Sequence, residues 1–215
     1  YGVPQQRYRV LIVGFRNDVD AKWSFPEPTH SKEALIYSKW VTGEYWKKHG
    51  MKMPPIPDKE RVVVERLKKH PPKLQPWLTV RDALSDLPEP QEGLLSNIPN
   101  HEFRSGARSY AGHSGSVLDE PSKTIKAGAH GVPGGENMIV LDDGTERYYT
   151  VRESARIQTF PDDYIFSGSW TESMRQIGNA VPVKLASIVG ESVYKKLEAE
   201  KIDAKQRWNT NHRAI

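Results

Sequence analysis

Thr150, followed three residues later by Glu153, is the most constraining pair in this chain. At that spacing the threonine hydroxyl accepts from the Glu153 amide while the carboxylate accepts from the Thr150 amide, a reciprocal cap that starts a helix. The helix must stop by Phe160, because Pro161 has no N–H and disfavours the α region in the residue before it. Thr171 can cap a second helix with Met174, Ile177 and Val181 on one side. Gly178-Asn179 interrupts it, and Pro182, suited to a first helical turn, opens a third. In the third, Leu185, Ile188, Val189, Val193 and Leu197 recur at helical spacing. Residues 149–197 therefore read as three helices joined by two punctuated turns.

Upstream, residues 10–15 form an apolar, β-branched run broken only by Gly14 and flanked by Arg9 and Arg16, which predicts a strand buried on both faces. No later segment offers an obvious parallel partner. The strand is expected either to complete a sheet supplied by other sequence or to sit poorly protected at an edge. Residues 17–29 read as a connector. From Ser31, a candidate cap, a helical stretch runs to about His49 with Leu35, Ile36, Trp40 and Trp46 turned inward. Residues 51–58 form a proline-rich loop, 59–70 a short amphipathic helix, and Thr79 caps a helix through Leu87 with Asp82 in its first turn. Residues 91–115 are polar and aperiodic. Short strands are then expected at 124–127, 138–141 and 145–149, the last two joined by the hairpin turn Asp142-Asp143-Gly144. Residues 128–137 are too glycine-rich for strand or helix, and the polar tail after Leu197 is expected to fray.

Five phrases carry a resemblance. RESARIQTFPD (152–162) and QIGNAVPV (176–183) resemble the last two signature blocks of DNA (cytosine-5) methyltransferases. YGVPQQRYRVLIVGFR (1–16) resembles that family's Gln-x-Arg-x-Arg block, and TVRDALSDLP (79–88) and PSKTIKAG (121–128) resemble phrases between them. The likeness keeps the family's order from Tyr1 to about Leu197. It implies an α+β fragment: the last strand and C-terminal helices of an S-adenosylmethionine-dependent, Rossmann-like α/β methyltransferase core, plus a small mixed target-recognition domain. Residues 1–16 would belong to the core, 17–148 to target recognition, 149–197 to helices returning to the core, and 198–215 to a flexible tail.

The chemistry implied by the resemblance is to flip a cytosine out of duplex DNA, add a cysteine thiolate to C6, transfer methyl from S-adenosylmethionine to C5, and eliminate the enzyme. This chain has no cysteine. The nucleophile and the glycine-rich cofactor loop belong to the family's front half, which the phrases do not include, and residue 1 is not methionine, so a fragment inactive by itself is expected.

Arg7 and Arg9 are two apart, and alternation along a strand puts both toward one site. Spacing alone favours surface arginines at a sheet edge. The resemblance implies instead that Arg9 donates to O2 of the cytosine, binding the adduct better than the ground state, and that Arg7 holds phosphate or the nucleophile's loop. Gln5, which heads that block, is read as structural. Gly178, Asn179 and Ala180 would close the cofactor pocket, although Ala180 lacks the hydroxyl many relatives carry there. Arg152, Glu153 and Arg156 are given an architectural role. Ser122, Lys123, Thr124, Lys126 and His130 mix phosphate-binding and base-edge groups on a glycine-rich scaffold and are the candidate DNA contacts, with a solvated loop nearly as good a reading.

Thirty-one Lys and Arg against 27 Asp and Glu give a net charge of +4, which suits a polyanionic partner without requiring one. Without thiols and without a His-Glu-x-x-His pair, no metal site is expected. No run has the length of a membrane span, and a cytoplasmic, bacterial protein of DNA methylation and restriction-modification is the expectation. The expected partners are double-stranded DNA and an N-terminal catalytic half, on the same or a separate polypeptide, with a dimer through the exposed strand or core face as a further expectation. The competing class is a non-enzymatic DNA-binding or scaffold module derived from such an enzyme.

Overall fold

The computed structural model describes residues 1–17, 19, 21–109, 114–127 and 137–212, with 201–212 as backbone alone. The element order is β1 (His30–Ser31), α1 (Lys32–Trp40), α2 (Glu44–Lys48), α3 (Asp58–Lys69), β2 (Gln75–Pro76), α4 (Val80–Leu84), β3 (Ser116–Val117), β4 (Met138–Val140), β5 (Glu146–Tyr148), α5 (Val151–Ile157), α6 (Trp170–Asn179) and α7 (Val183–His212). The architecture is mixed α+β with two small sheets: β1 pairs in parallel with β2, while β3 runs parallel and β5 antiparallel to the central β4.

The local signals produce their elements. Thr150 and Glu153 form the capping box of α5, the hydroxyl accepting from the Glu153 amide at 3.1 Å and the carboxylate from the Thr150 amide at 2.8 Å. Thr79 and Asp82 do the same for α4, which ends at Leu84 rather than Leu87. Ser31 caps α1, and Gly43, at φ 72°, divides the expected single helix into α1 and α2. A positive φ favours glycine, so the break falls where the sequence can tolerate it. The cap of α6 is Ser169 rather than Thr171, accepting from the Glu172 amide at 3.2 Å. Starting there lets Trp170 join the helix and donate its indole N–H to the Tyr149 carbonyl at 3.2 Å. Met174 and Ile177 are buried, whereas Val181 lies beyond the helix and is 39% exposed. The third helix does not stop near Leu197 but runs to His212.

Two strand expectations fail. Residues 10–15 are in no sheet, and Val10 and Ile12 are about nine-tenths exposed, at 87% and 91%. A β-prone run becomes a ladder only beside another backbone, and no described residue pairs with this one. Residues 124–127 are not a strand either. The Asn137 side chain stands in for a neighbouring strand there, accepting from the Lys126 amide at 2.9 Å and donating to the Lys126 carbonyl at 3.1 Å. The predicted hairpin is present, with Gly144 at φ 82° closing its turn.

Two apolar cores result. One gathers Leu35, Ile36, Trp40, Tyr45, Trp46, Val64 and Leu67 under α1–α3; the other joins α4, the β3–β5 sheet, α5 and α6 through Val80, Ile125, Ile139, Tyr149, Ala155, Met174 and Ile177. A polar seam ties them together. Lys39 pairs with Glu120 at 2.9 Å, the Tyr45 hydroxyl donates to Asp119 at 2.7 Å, and His49 and Lys48 meet Asp82 at 3.0 and 2.6 Å.

Candidate functional site

The Gln-x-Arg-x-Arg segment lies across the end of α6. Gln5 forms an isolated parallel bridge with Ser122, the Gln6 amide donating to the Ser122 carbonyl and the Ser122 amide to the Pro4 carbonyl, both at 2.9 Å. This anchors the first phrase of the chain to the 121–128 phrase. Arg7 then reaches inward and donates from Nη1 to the Ile125 carbonyl at 3.0 Å and from Nη2 to the Gly178 carbonyl at 2.6 Å. One guanidinium therefore joins three phrases that are far apart in sequence. Burial, and secondarily the nearby charge of Arg9, hold the Arg7 pKa below its ordinary value. Arg9 is exposed, and its Nη1 donates to the Tyr8 carbonyl at 2.7 Å. Both arginines border one cleft of about 290 Å³, whose other walls include Gln5, Trp77, Leu78, Pro182 and Leu185.

Gly178, expected to interrupt the helix and border a cofactor, lies inside α6 and faces protein backbone instead. A Cβ at Gly178 would stand 2.2 Å from the Ala127 nitrogen and 2.5 Å from the Lys126 carbonyl carbon. The close approach that glycine permits here is to protein backbone, not to a small molecule. Asn179, by contrast, is exposed and Ala180 half-buried at the rim of α6. Of the three residues assigned to S-adenosylmethionine, these two are placed where a ligand could meet them.

The proposed DNA contacts divide in the same way. Ser122 is fully buried, with its oxygen 3.3 Å from Ser116 Oγ and accepting from the Tyr149 hydroxyl at 3.3 Å, so it cannot also reach a DNA strand. Burial pushes the Tyr149 phenol up to about 12, keeping it a neutral donor. Thr124 donates its hydroxyl to the Gln6 carbonyl at 2.8 Å and thus fastens the arginine segment. Lys123 and Lys126 are exposed, and Lys123 donates to the Ser114 carbonyl at 2.6 Å. His130 lies outside the described residues.

Arg152, Glu153 and Arg156 occupy one helix and reach β5 and the two connections that join α4 to β3 and α5 to α6. Arg152 is completely buried and donates to the carbonyls of Pro99, Pro161 and Tyr164 at 3.2, 3.2 and 2.9 Å. Glu153 takes both terminal nitrogens of Arg147 at 2.7 and 2.8 Å. Arg156 grips Asp86 and Asp162, and these bonds hold both carboxyls below the usual range. The sequence reading missed two partners of this arrangement. His101, 1% exposed, bonds to Thr150 at 2.9 Å and the Pro88 carbonyl at 2.7 Å. Asn100, at φ 66°, exchanges two bonds with Phe166. Asparagine is among the few side chains that tolerate positive φ, but nothing local marks this one. Among the described residues no three His, Asp or Glu side chains are grouped as a metal site requires, and no helix is long and apolar enough to cross a membrane.

Arg7 thus clamps the Gln-x-Arg-x-Arg segment to the end of α6, and Arg9 is open to solvent beside it. The model of the C-5 cytosine-specific DNA methylase family matches residues 1–195, and the chain belongs to that family. It is similar to the type II methyltransferase M.MthTI of Methanothermobacter thermautotrophicus, with 32% identity over 92% of this chain and 54% of that protein. It is likewise similar to M.NgoFVII of Neisseria gonorrhoeae, at 35% over 85% of this chain and 44% of the relative, and to M.BbvI of Brevibacillus brevis, at 33% over 95% and 50%. The chain spans about half the length of these relatives.

Proposed function

We propose that this chain is the target-recognition and pocket-closing part of a DNA (cytosine-5) methyltransferase, completed by polypeptide that carries the cysteine nucleophile and the cofactor loop. Arg9 donates to O2 of the flipped cytosine, where electron density accumulates as the thiolate adds to C6. Arg7 holds the Arg9 segment against α6 through two main-chain carbonyls. Lys123 and Lys126 contact DNA phosphates, and Asn179 and Ala180 edge the cofactor. S-adenosylmethionine, when bound, supplies the methyl group for C5. The isolated chain, which has no cysteine, does not methylate DNA.

One observation carries this reading: Tyr8, Val10 and Ile12, on alternate residues beside Arg9, are 95%, 87% and 91% exposed. Large apolar side chains so open to water support reading this run as one face of a strand whose neighbours lie elsewhere. The completing polypeptide supplies those neighbours and, with them, the opposite wall of the cytosine site.

The test mixes the chain with the portion of the Methanothermobacter or Neisseria relative that it does not cover, and measures methyl incorporation into duplex DNA from labelled cofactor. Activity in the mixture that disappears with Arg9→Ala is the expected result. Methylation by the chain alone, or an active mixture indifferent to Arg9, contradicts the proposal. DNA binding with no methylation in any mixture supports a non-enzymatic DNA-binding module instead.

A further inference from the structure

Charge is unevenly shared along this chain. Residues 32–78, which carry α1, α2, α3 and β2 and none of the five family phrases, hold eleven Lys and Arg against five Asp and Glu, a net +6. The remainder, with twenty against twenty-two, is net −2. The stretch has its own apolar core under α1–α3, so its fold does not depend on that surface charge. Lys39 is buried against Glu120, and the other ten cations are exposed.

Five of them gather at one end of the helical unit. Arg66 meets Glu33 at 2.6 Å, which brings the last turns of α3 to the first turn of α1. β1, directly before α1, pairs in parallel with β2, so the connection from α3 to β2, which carries Lys73, also lies beside the start of α1. Lys32, Arg66, Lys68, Lys69 and Lys73 therefore share this end. Arg66 and Lys68 pair with Glu33 and Glu65, whereas Lys32, Lys69 and Lys73 are exposed and have no ion-pair partner among the described residues. Helix electrostatics account for part of the cluster only. Lys68 and Lys69 suit the C-terminal turn of α3, but Lys32 occupies the first turn of α1, where the helix dipole favours an acid, and Lys73 is in no helix. Cations held together without neutralisation, one of them at the unfavourable end of a helix, form a surface that a polyanion relieves.

Position selects the polyanion. Trp77, four residues after Lys73, lines the same cleft as Arg7 and Arg9, and four residues of chain span at most about 14 Å. Each strand of duplex DNA advances about 3.4 Å per nucleotide, so this distance corresponds to about four base pairs. A duplex whose target base meets Arg9 has flanking phosphates at the distance of Lys73. An acidic protein surface would be expected to add an apolar anchor, but from Arg66 to Gln75 the exposed large hydrophobic side chain is Leu74, at 41%.

We infer that the basic end of the α1–α3 unit is a second DNA-binding surface, on which Lys32, Lys69 and Lys73 hold phosphates of the duplex flanking the target cytosine without reading its sequence. It deepens the methyltransferase reading, on which the placement of the duplex rests, and is separate from the contacts proposed for Lys123 and Lys126.

The test measures the affinity of the chain alone for a mixed-sequence duplex of about 30 base pairs by fluorescence anisotropy across a salt series, with thermal midpoints beside it. Lys69→Gln combined with Lys73→Gln should weaken binding at least about tenfold at about 0.1 M salt, flatten the salt slope by about two, and leave the midpoint within about 2 °C of wild type. Lys52→Gln combined with Lys59→Gln removes the same charge at and before the start of α3, and should weaken binding less than about threefold. Lys32→Gln should bind several-fold more weakly yet melt about 1–3 °C higher, because a cation leaves a helix N-terminus; a merely structural lysine would not separate the two readouts. Equal losses in the two double variants reduce the effect to net charge and overturn the inference. So does binding by Lys69→Gln/Lys73→Gln within about twofold of wild type, a fall of about 5 °C or more in its midpoint, or a wild-type chain that does not bind duplex at low salt. Unchanged duplex affinity with lost affinity for a single-stranded RNA of the same length assigns the surface to RNA and overturns it too. Methylation by the completed mixture is scored separately: an active mixture without the predicted binding pattern removes this inference and keeps the methyltransferase reading, whereas the predicted pattern in a mixture that never methylates supports the surface and removes that reading.

Discussion

Gly178→Ala tests the arginine clamp at its tightest point. The added methyl would lie 2.2 Å from the Ala127 nitrogen, 2.5 Å from the Lys126 carbonyl carbon and 2.6 Å from the Ala127 Cα. All three are backbone atoms, so no side chain can swing aside, and reaching ordinary contact requires a movement of roughly 1 Å in α6 or in residues 125–127. Overpacking of this kind costs about 1–3 kcal/mol. The same movement stretches the 2.6 Å bond from Arg7 to the Gly178 carbonyl and the 2.9 Å bond from Gln158 to the Ile177 carbonyl, and a bond from a charged donor contributes about 1.5–3 kcal/mol. Against this, alanine is favoured over glycine inside a helix by about 1 kcal/mol. The net expectation is a loss of about 2–4 kcal/mol, which for a domain of this size lowers the thermal midpoint by roughly 5–15 °C. Circular dichroism melts and urea titration measure it. Gly190→Ala is the control: it sits in α7 with nothing within 4 Å of an added Cβ, and should stabilise by about 0.5–1 kcal/mol. If Gly178→Ala melts within a degree or two of wild type, the close approach of α6 to residues 126–127 is wrong, and the clamp with it.

Glu153→Gln should destabilise by about 1–3 kcal/mol, because Arg147, with a side chain 7% exposed, keeps Glu89 but loses the charge of its buried partner; a change under about 0.5 kcal/mol in urea titration would refute this. Asp82, Asp86, Asp142 and Asp162 all titrate below their ordinary 3.8 in the folded state. For Asp82 burial acts upward but is outweighed by Lys48 and the Thr79 amide. Carboxyls depressed by folding contribute stability above their unfolded pKa and lose it as pH falls through the folded value. The urea midpoint should therefore hold from neutral pH to about pH 5 and decline below about pH 4, less steeply in Asp82→Asn; a midpoint that rises on acidification contradicts it. Lys123→Ala or Lys126→Ala should weaken DNA binding across unrelated sequences and flatten the salt dependence by about one unit of slope, and unchanged affinity and slope would remove these lysines from the interface.

What the sequence made legible was local. The caps at Ser31, Thr79 and Thr150 depend on residues three apart, and each formed where it was read. The interruption expected at Gly178-Asn179 falls just beyond them, since both lie inside α6 and the helix ends at Ala180; what Gly178 does was not legible, because the backbone it admits comes from residues 126–127, some fifty positions away. Ser122 fits the composition of a DNA-contacting loop and is nonetheless buried beneath Tyr149, because exposure is decided by tertiary packing. The strand expected at 124–127 failed for the same reason: its main-chain groups are taken by the side chains of Asn137 and Arg7. His101 and Asn100 hold α5 to distant loops without any periodic or motif signal. Arg7 and Arg9 do border one cleft, as their spacing indicates, but the one is clamped and the other open, a difference that alternation cannot express.

The central claim is that the backbone from Tyr8 to Val13 is an unpaired strand awaiting a partner, and amide hydrogen exchange reads that backbone directly. In the chain alone these amides should exchange nearly as fast as in an unstructured peptide, while α5 and α6 are protected; in an active mixture with the relative's uncovered portion they should slow by at least a hundredfold. Strong protection in the isolated chain, or continued fast exchange in a mixture that methylates DNA, would contradict the account.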